Sequence, residues 1–131
     1  MHPRVTRMHR YDDEQVARVC HRALQGLQEV QDGTAFGYRS ADWPYMHPDL
    51  LEAAVNGVGA ARRGETPSAQ QHHKAWCGFL LAEPRNWKPG PRDHAAKTHP
   101  SLVDWSGLSE NERDKTRLFL STVVSLTIRD A

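Results

Sequence analysis

Residues 71–108 read QHHKAWCGFLLAEPRNWKPGPRDHAAKTHPSLVDWSGL, and the way this stretch divides decides the fold. Its first part has helical spacing, with Ala69, His73, Trp76, Phe79 and Leu80 on one face. Pro84 ends that helix. From Pro84 to Pro100 the chain carries too much proline, charge and aromatic surface for a plain connector. Residues 71–108 hold three of the four tryptophans, four of the eight prolines and four of the eight histidines. Long ordered loops are uncommon in small domains and are often functional, so the candidate site is placed here. Short extended pieces are expected beside Trp87 and at Leu102 and Val103.

Working outward, Thr66 and Pro67 supply a cap and a first-turn proline for this helix. A preceding helix is expected over about 48–63, with Pro48 in its first turn and Asp49 at its positive end. Leu50, Leu51, Ala54, Val55, Val58 and Ala61 form its stripe. Gly57 and Gly59 weaken it unless another element packs close to them. The first helix is expected over about 13–31. Asp12 and Gln15 make its capping box, and Val16, Val19, Cys20, Ala23, Leu24, Leu27 and Val30 its stripe. His21 lies beside that stripe and reads as a core-edge residue. The loop between these helices carries Phe36, Tyr38, Trp43 and Tyr45, which either lid the core or wall a pocket. Phe36 is assigned to the core, while Trp43 and Tyr45 suit both roles. Downstream, Ser109 and Glu112 open a fourth helix with Leu118, Phe119, Val123 and Leu126 on one face, widened by Leu120 and Val124. It is expected to end near Ile128. The fold class is mainly α, about four helices with a minor β element. Residues 1–11 read as a basic leader and 12–131 as a single domain.

The totals exclude several functions. The chain has 131 residues, and 17 Lys and Arg nearly cancel 16 Asp and Glu, which argues against duplex nucleic acid as a partner. No apolar run approaches the roughly 20 residues of a membrane span. No apolar signal core follows the basic leader, and a cytoplasmic location is expected. Cys20 and Cys77 read as reduced core thiols. His72, His73 and Cys77 fall close together, and His94 and His99 could add to them. No CxxC or HExxH spacing accompanies them, so no metal site is assigned, and one of the two adjacent histidines is expected to be buried and the other solvated. No nucleophile framework is recognisable, and neither an enzyme activity nor a cofactor is expected.

Within the loop, Pro89-Gly90-Pro91 fixes a turn, and Lys88, Arg92, Lys97 and His99 are cationic donors. Arginine recognises phosphate bidentately, and Trp76 and Trp87 offer faces on which a base stacks. The set suits an anionic ligand with an aromatic ring. It suits equally a loop held by Arg92 and Asp93 ion pairs over tryptophans that cap the core.

The ordered set His73 and Trp76, Asn86-Trp87, Gly90-Pro91, Arg92-Asp93, Lys97, His99-Pro100, Leu102-Val103 and Leu108 resembles the ryanodine-receptor (RyR) repeat domain. The likeness takes in Arg18, Val19, His21, Trp43, Gly57-Val58, Glu112, Lys115 and Leu118-Phe119, and so covers about residues 13–128. Asn86 stands where the family pattern has glycine, Pro89 where it has tyrosine, and Asp104-Trp105 where it has Pro-Tyr. The resemblance implies a mainly antiparallel helical fold with a short β element and no catalytic activity. It also implies a relation to free-standing bacterial and phage copies proposed to sense nucleotide-derived ligands in phage defence. A single copy of that kind would pair as a homodimer.

The expected function is non-enzymatic binding of a small anionic ligand, a nucleotide or cyclic oligonucleotide, by a sensor or a sequestering protein. Trp76, Trp87 and Tyr45 would stack on the base. Arg92, Lys97 and His99 would meet phosphates, and His73 would orient the pocket. Whether Glu112 and Lys115 belong to this site is left open by the sequence. The alternative is an assembly module whose aromatic loops form a protein interface.

Overall fold

Asp12 and Gln15 start the first helix as a reciprocal pair. The Gln15 backbone N–H donates to Asp12 Oδ1 at 2.7 Å, and the Asp12 backbone N–H donates to Gln15 Oε1 at 2.8 Å. The computed structural model describes residues 11–32 and 39–127. The leader before Tyr11, together with Phe36, Tyr38 and Ile128, lies outside them. Within them are α1 (Asp13–Asp32), α2 (Pro48–Arg62), α3 (Ala69–Leu81), β1 (Lys88–Pro89), β2 (Thr98–His99) and α4 (Glu110–Leu126). Single 3₁₀ turns at Trp43–Tyr45 and Trp105–Gly107 precede α2 and α4. The described residues are mainly helical, as their periodicity predicts, with one small sheet. Among the described residues no helix is long and apolar enough to cross a membrane.

The helices pack α1 against α2 and α4, α2 against α3 and α4, and α3 against α4. Two buried apolar clusters result. Val16, Ala17 and Cys20 of α1 meet Val58 of α2 and Val123 of α4. Leu50 and Ala53 of α2 meet Leu80 of α3 and Trp87 and Leu102 of the following loop. Each fully buried aliphatic side chain contributes about 1.5–3 kcal/mol.

The inward face of α1 is rotated from the expected stripe. Val19 and Val30 are exposed, whereas Ala17, His21, Gln25 and Gln28 are buried. The cause is the returning loop, whose backbone needs partners as it packs on the helix. Gln28 accepts from the Ser40 N–H at 2.8 Å and donates to Ser40 Oγ at 3.1 Å. Gln25 donates to the Ser40 carbonyl at 3.0 Å, and His21 Nε2–H donates to the Ala41 carbonyl at 2.7 Å. An amide side chain offers both a donor and an acceptor, which an aliphatic one cannot.

Two boundaries differ from expectation. The cap of α3 is Ser68, not Thr66, because Ser68 Oγ accepts from the Gln71 N–H three residues on, at 3.2 Å. Thr66 is buried before the helix begins. The second extended piece is Thr98–His99 rather than Leu102 and Val103. β1 and β2 pair in parallel, Lys88 opposite Thr98 and Pro89 opposite His99. Leu102 instead enters the second cluster. Asn86 and Lys97 flank the loop at φ values of 56° and 57°. Asparagine tolerates that left-handed conformation better than most residues, which accounts for Asn86 at the turn into β1. Ser109 caps α4 as expected, its Oγ accepting from the Glu112 N–H at 3.2 Å.

Gly57 is fixed by contact rather than by backbone angle. A Cβ there would stand 2.7 Å from Cε1 of His72, whose ring stacks on Phe119 at 4.4 Å. Gly57→Ala gains about 1 kcal/mol of helix propensity but must displace a buried ring, at a cost of about 1–3 kcal/mol. The expected outcome is net destabilisation in a urea titration with an unchanged m-value. A more stable variant would show that His72 yields without cost.

Candidate functional site

The cavity between the two clusters has a volume of about 190 Å³ and is partly open to solvent. Trp43, Met46, Leu51, Trp76 and Phe119 supply its apolar wall. Arg92, His94, His99, Ser101, Glu112 and Lys115 lie together at its polar end. His72 and His73 of α3 stand between.

Each polar group is held by identifiable neighbours. His73 Nε2–H donates to the Val103 carbonyl at 2.7 Å, and its ring lies on Trp76 with centroids 5.9 Å apart. The other face of the arrangement is His99, which meets Trp76 edge-on at 5.3 Å. Lys115 Nζ donates to Glu112 Oε1 at 3.0 Å, and Ser101 Oγ–H donates to Glu112 Oε2 at 3.2 Å. Burial pushes the Glu112 carboxyl up, but the Lys115 ammonium, the Ser101 hydroxyl and the Arg92 charge together hold it below its ordinary value. Burial, then the adjoining Arg92, lowers the His99 pKa to about 4. Burial, then the adjoining His73, does the same to His72, also to about 4. Both rings are therefore neutral donors or acceptors near neutral pH, not cations. His72 and His73 are both buried, which corrects the expectation that one is solvated.

The loop brings some sequence-selected residues together and removes others. His73, Trp76, Arg92 and His99 line the cavity. Trp87 does not. It is 1% exposed, its indole N–H donates to Asp49 Oδ2 at 2.8 Å, and no face is left on which a base could stack. Lys97 also stands elsewhere, with Nζ donating to the Arg85 carbonyl at 3.1 Å and 3.3 Å from Asp49 Oδ2. It braces the loop. Tyr45 is 81% exposed and is not part of the wall, whereas Trp43 is, so the shared aromatic loop contributes one ring of the two considered. Glu112 and Lys115 belong to the cavity; their spacing at i and i+3 from a capped helix start was the available signal. His72 was weighed in the sequence only as a metal ligand, Phe119 only as part of the α4 stripe and of the resemblance, and Met46 carried no signal.

Cys77 Sγ lies 3.3 Å from His73 Nε2, but burial raises its pKa to about 11, and burial raises that of Cys20 to about 12. Neither thiol is a ready nucleophile at neutral pH. Among the described residues no three His, Cys, Asp or Glu side chains converge as metal ligands. Comparison of the chain with protein-family models, with curated proteins and with solved structures finds no match.

Two outcomes are expected of this wiring. Asp49→Ala strips the Trp87 indole of its acceptor, and a buried unsatisfied donor costs about 1–3 kcal/mol. The loss is read as a lower denaturation midpoint, and a variant as stable as the parent would refute the role of the contact. Separately, His72 and His99 have folded pKa values near 4 against 6.5 when unperturbed, so the unfolded chain binds more protons between those values. Their stability contribution is complete above pH 6.5 and is lost as pH falls towards 4, with a slope of up to about 1.4 kcal/mol per pH unit for each ring. His72→Phe, which keeps an aromatic ring on Phe119, flattens the slope between about pH 6.5 and pH 5 in thermal melts. An unchanged slope in that variant would rule His72 out as a contributor.

Proposed function

We propose that this domain binds, without chemical turnover, a small anionic ligand that carries an aromatic ring, most naturally a nucleotide or a nucleotide-derived signal. The observation that carries the reading is the two-ended cavity. One end is aromatic and apolar, through Trp43, Trp76 and Phe119, and the other sets Arg92 and Lys115 against the carboxylate of Glu112. Guanidinium and ammonium groups at a partly closed pocket are charged donors that suit an anion, and the flat walls suit a ring. The volume of about 190 Å³ falls below the roughly 300–1,000 Å³ of pockets that enclose drug-sized ligands. One ring system and its acid group would be enclosed, and the rest of a larger ligand, such as the second half of a cyclic dinucleotide, would emerge at the open side. The resemblance to the RyR repeat supports the same reading, since free-standing copies of that family are proposed nucleotide sensors. A sensing or sequestering role in phage–host signalling is the corresponding biological proposal.

The test is a thermal-shift screen against mononucleotides, ADP-ribose with its cyclised forms, and cyclic oligonucleotides. A ligand at about 100 times its Kd adds about 2.7 kcal/mol to the folded state, which raises Tm by several degrees. The shift is expected for one class of ligand, to vanish in Arg92→Ala, and to shrink in Lys115→Ala and Trp76→Ala. Silence of the parent protein across the whole panel would remove the proposal.

A further inference from the structure

His99 stands at the polar end of the cavity, and a role for it in recognition rests on the binding of an anionic ligand proposed for that cavity. Its ring has hydrogen-bond donors on both sides. The Ser101 backbone N–H is 3.0 Å from Nδ1, and Arg92 Nη1 is 3.1 Å from Nε2. A neutral imidazole has one lone pair and one N–H, so it can accept from only one of them. The Ser101 amide belongs to a buried residue and is fixed by the backbone, and leaving it without an acceptor would cost its full desolvation. The arginine side chain can turn about its own bonds. Nδ1 therefore accepts from Ser101, and Nε2 carries the proton on the side of Arg92. An N–H of His99 and an N–H group of Arg92 then stand 3.1 Å apart, and both residues line the cavity. Donors so close leave no room between them, so the guanidinium turns aside, and one acceptor set beside the pair can then take both N–H groups.

We propose that an anionic oxygen of the ligand, from a phosphate or a carboxylate, accepts from His99 Nε2–H and from the Arg92 guanidinium together, with His99 as a neutral donor. The requirement comes from His99, whatever else the guanidinium meets. The charged and titratable groups acting on the ring are Arg92, His94, Glu112 and Lys115. Three of these four oppose a positive charge on it, in the same direction as its burial. Arg92 and Lys115 are the cationic groups acting on this place, while His99 supplies direction. Trp76, edge-on to His99, places the stacking surface beside the oxygen site, so the acid group must lie close to the ligand's ring.

The test uses the intact protein and four probes: adenosine, adenosine monophosphate, benzoate and inorganic phosphate. Proton–nitrogen NMR of the imidazoles is expected to find His99 protonated on Nε2 and bare on Nδ1 at neutral pH before any probe is added. The Nε2–H signal should then move on addition of adenosine monophosphate. His99→Phe should lower affinity for the monophosphate at least about tenfold more than affinity for adenosine, the usual scale of a charge-assisted hydrogen bond. His99→Gln, whose amide N–H can occupy the place of Nε2–H, should restore most of that loss. If benzoate and not the phosphates shows the His99 dependence, the oxygen is a carboxylate's. A proton found on Nδ1, or a ring that titrates near its ordinary pKa, overturns the inference without any ligand and even if the variants fold poorly. Equal losses for adenosine and its monophosphate in His99→Phe overturn it while the pocket reading survives. Failure of all four probes to bind overturns both.

Discussion

A buried indole nitrogen needs an acceptor, and Trp87 finds one in Asp49, 38 residues earlier in the chain. The rest of the arrangement depends on that bond. Asp49 stands in the first turn of α2, where the helix dipole already favours a carboxylate. The Trp87 hydrogen bond leads the contributions that hold its pKa below the ordinary value, with Lys97 adding to it against the effect of burial. One carboxylate therefore serves a helix end, an indole and an ammonium at once. The backbone of Trp87 is tied as well, its N–H donating to the Leu80 carbonyl at 2.9 Å. The two-residue strands β1 and β2 are far too short to fix a loop unaided. With Trp87 locked into the second cluster, they need only hold its two arms together, and those arms carry Arg92 and His99.

The cavity exists because of what the helices present to each other. A core of aliphatic faces would close the space between the two clusters. Here α3 contributes His72 and His73, whose neutral rings are wide but flat. They stack on Phe119 and Trp76 rather than interlocking with neighbours as branched side chains do. Gly57 gives His72 the room to lie flat against α2. A stacked ring covers area without filling the corners around it, so a cleft remains with aromatic walls. Its polar end is closed by α4, where the Ser109 cap sets the turn that carries Glu112 and Lys115 inwards.

Periodicity and capping made the four helices legible, because each has a stripe at helical spacing and capping chemistry near its start. The errors came where a tertiary contact outweighed a local signal. Gln25 and Gln28 were invisible as core residues, since only a returning loop gives buried amides their partners. Thr66 and Ser68 are both sound caps in isolation, and packing decided between them. Among the site residues, Trp76 and Trp87 look alike in sequence, each an aromatic among charges. Only the fold shows that Asp49 is within reach of one indole, which takes that ring into the core and leaves the other at the cavity. Arg92 and His99 were legible because the loop that holds them is rigid in its own composition. Lys97 sits between them in sequence, but its backbone conformation sends the ammonium to the opposite side, towards Arg85 and Asp49.

The histidines set the electrostatic character of the cavity by what they do not carry. His72, His94 and His99 all have lowered pKa values, burial being the largest cause in each case. Were these rings charged, a ligand would meet a diffuse positive region that changed with every small shift in pH. With them neutral, the charged side chains lining the polar end are Arg92, Lys115 and Glu112, of which the last two are hydrogen-bonded to each other. Arg92 stands there beside hydrogen-bonding groups whose directions are set by the backbone of Ser101 and Val103. A diffuse positive surface attracts any anion in proportion to its charge. A localised cation beside oriented neutral donors discriminates by shape and by the position of the acceptor, because a misplaced oxygen meets donors that point elsewhere. The constraint that begins with one indole in the core thus ends as geometry at the cavity.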